Sequence, residues 1–213
     1  MSAAGMTRTA RRAAATYRAI VDAAEQLVLD QGTDALTLDA VAERADVAVQ
    51  TIYNRLGGRS ALLIAVAERA LEKNRQYMDA AYAAPGTPRD RIFRAAEAYT
   101  RFAAERPHQF RLLVDPPAEP DALARVADLI EEQNAKLAAA LSDGIADGTI
   151  DPDLDPMITS TALWAAMNGV LALHWRADRL RAEPNHLHLL VTTIVGILDR
   201  GIRSDAPRPT STA

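Results

Sequence analysis

Leu36–Leu63 reads LTLDAVAERADVAVQTIYNRLGGRSALL, and the spacing of its apolar residues decides the fold. Leu38, Val41, Ala42 and Ala45 recur at three- and four-residue intervals, the period of a short amphipathic helix. Thr37 stands before them as an N-cap, and Asp39 in the first turn suits the helix dipole. Asp46-Val47 forms a tight turn. Ala48 to Leu56 is a further short helix, with Val47, Ile52 and Leu56 facing inward and Gly57-Gly58 ending it. Two short helices joined by a turn of few residues and locked by small apolar side chains are a helix-turn-helix.

Working outward, helical periodicity covers almost the whole chain, and there is no convincing strand signal. Residues 1–15 are small, polar and basic, and are expected to be a flexible arm. Tyr17, Ile20, Val21, Ala24, Leu27 and Val28 give a first helix that Gly32 closes. A long fourth helix is expected from Arg59 to Tyr82, a fifth over Arg89–Glu105, and a short sixth between Pro107 and Pro116-Pro117. A seventh follows over Asp121–Ala146, an eighth from Pro156 to Arg176, and a ninth over Asn185–Arg203. The tail, residues 206–213, is rich in Pro, Ser and Thr and is expected to be loose. The expected fold class is therefore all-α with about nine helices. Residues 16–60 form the helix-turn-helix domain, and residues 61–205 form a second helical domain.

The chain has 213 residues, of which 49% are hydrophobic, so it can bury a core and is not a disordered polymer. It contains no Cys, which excludes a disulfide scaffold, a thiolate metal site and a cysteine nucleophile. Met157–Trp175 is uncharged and of bilayer length, but Thr159, Ser160, Thr161, Asn168, Gly169 and His174 interrupt it. It is read as a buried helix of a cytoplasmic protein, with no membrane partner. The net charge of −4 is unevenly spread. Arg8, Arg11, Arg12 and Arg18 form an acid-free segment. Arg44, Arg55 and Arg59 form a second group with only Asp46 among them, so any basic footprint lies in the first quarter of the chain.

On the third helix Val49, Gln50, Thr51, Tyr53, Asn54 and Arg55 are left facing outward. Gln and Asn can bond adenine bidentately, Val and the Thr methyl can touch the thymine methyl, and Tyr, Thr and Arg can donate to phosphates. His186 and His188 are two residues apart and diverge on a helix, so metal ligation is not expected. No nucleophile elbow or phosphate-cradling glycine loop is present, and neither enzymatic activity nor a cofactor is expected.

Leu36–Leu63, continued backwards through IVDAAEQLVLDQG (Ile20–Gly32), resembles the DNA-binding domain of the TetR family of bacterial transcription regulators. LWAAMNGVLAL (Leu163–Leu173) is similar to a Trp-x-x-x-His/Asn-Gly signature in the eighth helix of some members. The resemblance implies that Thr37 meets a phosphate and that Val49, Gln50 and Asn54 reach base edges. It places Thr51, Tyr53 and Arg55 on the backbone or nearby bases, and Arg59 at the family's usual Lys position. The chain departs from the pattern at four places. Asp46 stands for the turn Gly, Ala48 for a Ser cap and Leu56 for Phe, and Gly58-Arg59 replaces Ser-Lys.

The eighth and ninth helices carry apolar residues nearly all round and so need burial on two sides. A two-fold homodimer through these helices is expected, also on the resemblance, and with it a near-palindromic double-stranded operator. The resemblance further implies a small-molecule site. Its candidate lining is Tyr99, Phe102, Phe110, Leu113, Ile130, Trp164, Met167 and Asn168, an apolar setting suited to a lipophilic effector. The leading expectation is a repressor released by that effector. The alternatives are an activator or co-ligand-dependent regulator of the same fold, or an all-α small-molecule carrier or enzyme that does not bind DNA.

Overall fold

The computed structural model describes residues 7–116 and 120–204, together with the backbone but not the side chains of residues 121 and 122. Among the described residues there are nine α-helices and no strand. They are α1 (Arg8–Gln31), α2 (Leu38–Ala45), α3 (Val49–Arg55), α4 (Arg59–Ala83), α5 (Pro88–Glu105), α6 (Pro107–Val114), α7 (Pro120–Ala146), α8 (Pro156–Leu171) and α9 (Pro184–Ile202). Tight 3-10 turns follow α1 at Thr33–Ala35 and α8 at Ala172–Trp175. The chain divides into two compact units: Met1–Glu72 with Arg106–Asp128, and Lys73–Glu105 with Leu129–Ala213.

In the first unit Ile20, Val21, Ala24 and Val28 of α1 are at most 1% exposed, as are Leu36, Val41, Ile52, Leu62, Leu63 and Val66. Burial of such side chains, worth about 1.5–3 kcal/mol each, holds the helix-turn-helix in one geometry. Arg69 of α4 binds Asp22 and Glu25 of α1, and Glu25 accepts a 2.6 Å hydrogen bond from Gln109 of α6. Arg125 pairs with Glu68 at 3.1 Å.

One expectation is corrected here. Residues 8–15, expected in the flexible arm, are the opening turns of α1, capped by Thr7, whose hydroxyl accepts from the Ala10 N–H at 3.2 Å. Ala13, Ala14, Ala15 and the interspersed arginines are strong helix formers, and the small, polar composition concealed that propensity. Residues 1–6 of that arm, Pro117 and the tail 206–213 lie outside the described residues.

In the second unit Met78, Ala81, Ala95 and Ala98 form one core cluster, with Tyr77, Tyr82 and Tyr99 packed against it. Leu141, Ile150, Leu163 and Ile202 form another. Arg75–Glu132 at 2.7 Å and Lys136–Asp79 at 2.5 Å step in the same direction along α4 and α7, so these segments run parallel. Asp199, only 8% exposed, is held bidentately by Arg89 at 2.8 and 2.9 Å and also by Arg203, tying the start of α5 to the end of α9.

The exposure of α8 bears on its expected need for burial on two sides. Pro156–Trp175 is the one helix among the described residues long and apolar enough to cross a membrane, and only 22% of its apolar window is buried within the single chain. Ser160, Leu163, Met167 and Leu171 make one inward stripe. Ile158 is 71% exposed, Met157 52%, and on α9 Leu189 is 63% and Ile197 50% exposed. Within the single chain α8 therefore has one packed side and one open apolar face, because one chain supplies packing for only one of its sides.

Candidate nucleic-acid interface

The α2–α3 corner is built by local hydrogen bonding that the sequence specifies. Thr37 Oγ1 accepts from the Ala40 N–H at 3.2 Å and caps α2. At the other end Asp46 takes the left-handed conformation, φ 51° and ψ 51°. The Val47 N–H reaches the Ala42 carbonyl at 3.0 Å, and the Asp46 N–H reaches that of Glu43 at 3.3 Å. That pair of bonds is a Schellman closure, and Asp is among the few non-glycine residues that enter the left-handed region at tolerable cost. The turn therefore keeps its geometry without the glycine. Ala48 offers α3 no side-chain cap, a loss of about 1 kcal/mol. Tertiary packing through Ile52, fully buried, makes up for it.

With Ile52 turned inward, Gln50, Tyr53, Asn54 and Arg55 are exposed, and Val49 and Thr51 are half-buried. Thr37 and Arg59 are exposed as well. Gln50 Nε2 donates to Asn54 Oδ1 at 3.1 Å, one turn apart, so the two amides form a single polar unit. Gln50 keeps its carbonyl oxygen and one N–H, and Asn54 keeps its amide donors, the groups that base edges require.

Sequence reasoning missed two supports. Gly58 has φ +119°, and a Cβ there would come within 3.2 Å of the Tyr53 ring, so the glycine leaves room for that ring. Arg59 Nε donates to the Leu36 carbonyl at 3.0 Å, fastening the α4 start to the residue before the α2 cap. Of the second basic group, Arg44 is neutralised by Asp30 at 2.8 Å, whereas Arg55 has no carboxylate partner among the described residues.

The expected effector lining is distributed over both units. Phe110 and Leu113, 0% and 5% exposed, belong to the first, and Tyr99, Phe102, Ile130, Trp164, Met167 and Asn168 to the second. Within the second unit the structure brings Tyr99, Trp164 and Asn168 together. The Tyr99 hydroxyl donates to Asn168 Oδ1 at 2.6 Å and is also hydrogen-bonded by the Trp164 side chain. Burial pushes the Tyr99 phenol well above its ordinary range, so it stays protonated and can donate. Phe102 meets Tyr77 edge-on, 5.4 Å between ring centroids.

The sequence did not single out Asn74 or Gln133, whose Nδ2 and Oε1 atoms are buried without a partner. A buried orphan amide has no signature in composition. Among the described residues no group of three or more His, Cys, Asp or Glu could hold a metal ion.

The comparisons agree with this geometry. Residues 20–66 match the model for bacterial regulatory proteins of the tetR family, and residues 92–199 match the tetracyclin repressor-like C-terminal domain. Over 75 residues the chain is 39% identical to the HTH-type transcriptional regulator BetI of Rhizobium meliloti, spanning 35% of this chain and 37% of that relative. A Rhodococcus sp. RHA1 protein of unknown function superposes with TM-score 0.74 at 23% identity, covering 89% of this chain and 96% of that one. FadR of Bacillus subtilis, solved in complex with stearoyl-CoA, superposes with TM-score 0.73 at 17% identity over 88% and 100% of the two chains. With a helix-turn-helix whose polar flank is open, and family matches over both its N-terminal and C-terminal parts, the chain belongs to the TetR family of DNA-binding transcription regulators.

Proposed function

We propose that the protein is a homodimeric repressor that binds a near-palindromic operator and is released by a small lipophilic effector. The observation that carries the reading is the polar flank of α3: Ile52 is fully buried while Gln50, Tyr53, Asn54 and Arg55 stand in solvent. In this reading Val49, Gln50 and Asn54 contact base edges. Thr37, Thr51, Tyr53, Arg55 and Arg59 hold phosphates or nearby bases. Residues 16–60 bind DNA, and residues 61–205 bind the effector and dimerise.

The open apolar faces of α8 and α9 support the dimer. Ile158 at 71% and Leu189 at 63% exposure belong to helices with few charges, and a second copy would bury them in a four-helix bundle. Two copies of α3 then address major-groove faces about 34–36 Å apart, or a multiple of that. The half-buried Tyr99–Trp164–Asn168 cluster, beside the core of Met78, Ala81, Ala95 and Ala98 that Tyr99 packs against, suits an uncharged ligand that can exchange a hydrogen bond with it. The stearoyl-CoA held by FadR, which shares this fold, is in keeping with a lipophilic effector class. The effector acts by preferring one spacing of the two recognition helices. The protein works in the cytoplasm, where its DNA is.

A mobility shift on DNA upstream of the protein's own gene, with a salt titration, tests the reading. Sequence-preferring binding with a steep salt dependence is expected. Equal binding to all duplexes, or none, overturns it.

A further inference from the structure

The opening turns of α1 carry a concentrated charge. Arg8, Arg11, Arg12 and Arg18 are all exposed, and no acidic residue precedes Asp22 in the helix. At about 100° per residue the four fall within roughly 120° of arc. The buried residues Ile20, Ala24, Leu27 and Val28 lie on the opposite side. From Arg8 to Arg18 the helix rises about 15 Å.

These four arginines, like Arg55, differ from those that pair with acids. Arg44, Arg69, Arg75, Arg89, Arg91, Arg125, Arg176 and Arg203 each hold a carboxylate. Arg8, Arg11, Arg12 and Arg18 have none among the described residues. No residue of this stretch is fully buried either, since the buried residues of α1 begin at Ile20. An isolated helix of about a dozen residues is marginal in water. Like charges one turn apart, such as Arg8 and Arg12, weaken it further. A polyanion would remove both penalties. One strand of B-DNA presents a phosphate about every 3.4 Å of axis, so about 15 Å of axis offers some four phosphates for four guanidinium groups. The stretch belongs to the same compact unit as α3.

We propose that the arginine face of Arg8, Arg11, Arg12 and Arg18 is a second DNA-contacting surface, gripping backbone phosphates beyond the bases read by α3. It rests on the DNA-binding reading above and adds to it a sequence-independent grip. The occupant is duplex DNA, because between Arg8 and Arg18 the charges on this face are all cations, Asp22 at the far end of the arc is paired with Arg69, and the residues between the arginines, Ala15 and Ala19, are no apolar wedge of the kind a membrane interface would favour.

The test compares the full chain with a variant carrying Arg8→Gln, Arg11→Gln, Arg12→Gln and Arg18→Gln. Gln keeps nearly the same helix propensity as Arg, and circular dichroism and sedimentation check that fold and assembly are unchanged. The probe is a mixed-sequence duplex of about 40 base pairs, titrated between about 50 and 200 mM salt. Each lost phosphate contact reduces the slope of log K against log salt by about 0.9, and four contacts by about 3.6 per protomer. Over that salt range the wild type should then lose on the order of 100-fold more affinity than the variant.

A second variant, Gln50→Ala with Asn54→Ala, should keep the slope and lose base preference. Wild-type binding with an unchanged slope in the four-Gln variant overturns this proposal alone. Failure of the wild type to bind any duplex overturns both readings. Capture of the wild type, but not the variant, by phosphatidylserine vesicles, with an unchanged DNA slope, assigns the face to a membrane and also overturns it.

Discussion

Gly144→Ala isolates one packing contact whose cost follows from the structure. Gly144 lies within α7, where Ala would be preferred by about 1 kcal/mol on helix propensity alone. A Cβ built there falls 2.5 Å from Ile150 Cδ1, 2.7 Å from its Cγ1 and 3.4 Å from its Cβ. Ile150 cannot retreat easily. It is 1% exposed, and its own N–H is fixed to the Gly144 carbonyl at 2.9 Å, as is that of Thr149 at 2.9 Å. Asp151 is pinned in turn to the Ile202 carbonyl at 3.0 Å. Overpacking of this kind costs about 1–3 kcal/mol, and a Cβ at 2.5 Å from a pinned side chain belongs at the upper end, so the net expectation after the propensity gain is a loss of up to about 2 kcal/mol. For a domain of this size that lowers Tm by up to about 8 °C in a thermal melt followed by circular dichroism. Ile150→Val removes the methyl at the shortest contact and by itself costs about 0.5–1.5 kcal/mol. The double variant should be more stable than the sum of the single changes by about 1 kcal/mol. If Gly144→Ala melts at or above wild type, or the double variant is merely additive, the reasoning is refuted.

Four further outcomes are expected. Gln50→Ala or Asn54→Ala should reduce discrimination between operator and altered sequences by about 1–3 kcal/mol, whereas Arg55→Ala should weaken every duplex alike and lower the salt slope by about one, both read by anisotropy. Leu189→Glu should convert the protein to a monomer in sedimentation at micromolar concentration, since a charge on that open apolar face cannot be buried against its copy. Tyr99→Phe should destabilise by about 0.5–1.5 kcal/mol in urea, because Asn168 loses its 2.6 Å donor at a half-buried site. Arg89, and then Arg203, hold the Asp199 carboxyl below the usual range. Its stabilisation is therefore present above the unfolded pKa, near 3.8, and is lost as pH falls through the lower folded value. Asp199→Asn should flatten the acid limb of stability below about pH 5.

The helix-turn-helix was readable because its signals are local. Thr37 caps, Asp46 turns and Ile52 points inward in a spacing that only one short-helix arrangement satisfies. Proline and glycine punctuation set most of the other boundaries to within a few residues, as at Pro88, Pro107 and Pro156. What sequence could not convey was long-range. Nothing near Arg59 announces that its Nε would seek the Leu36 carbonyl, 23 residues away. The all-round apolar pattern of α8 did convey that it needs burial on two sides, but not which of its faces the chain itself covers, the one with Ser160, Leu163, Met167 and Leu171. The effector lining was chosen by residue type along neighbouring helices, and Phe110 and Leu113 proved to belong to the other compact unit. The arm 8–15 was misjudged because small, basic composition suggests a loop, whereas Ala and Arg are among the best helix formers.

The central claim is that α3 lays its polar flank against a duplex twice per assembly. Nuclease footprinting on DNA upstream of the gene, with the protein-to-DNA ratio measured on the same complex, tests it most directly. Two protected half-sites related by a near two-fold, spaced by about one helical turn or a multiple, with an even number of protomers per site, are expected. A single protected half-site bound by one protomer, or protection without any boundary, would contradict it.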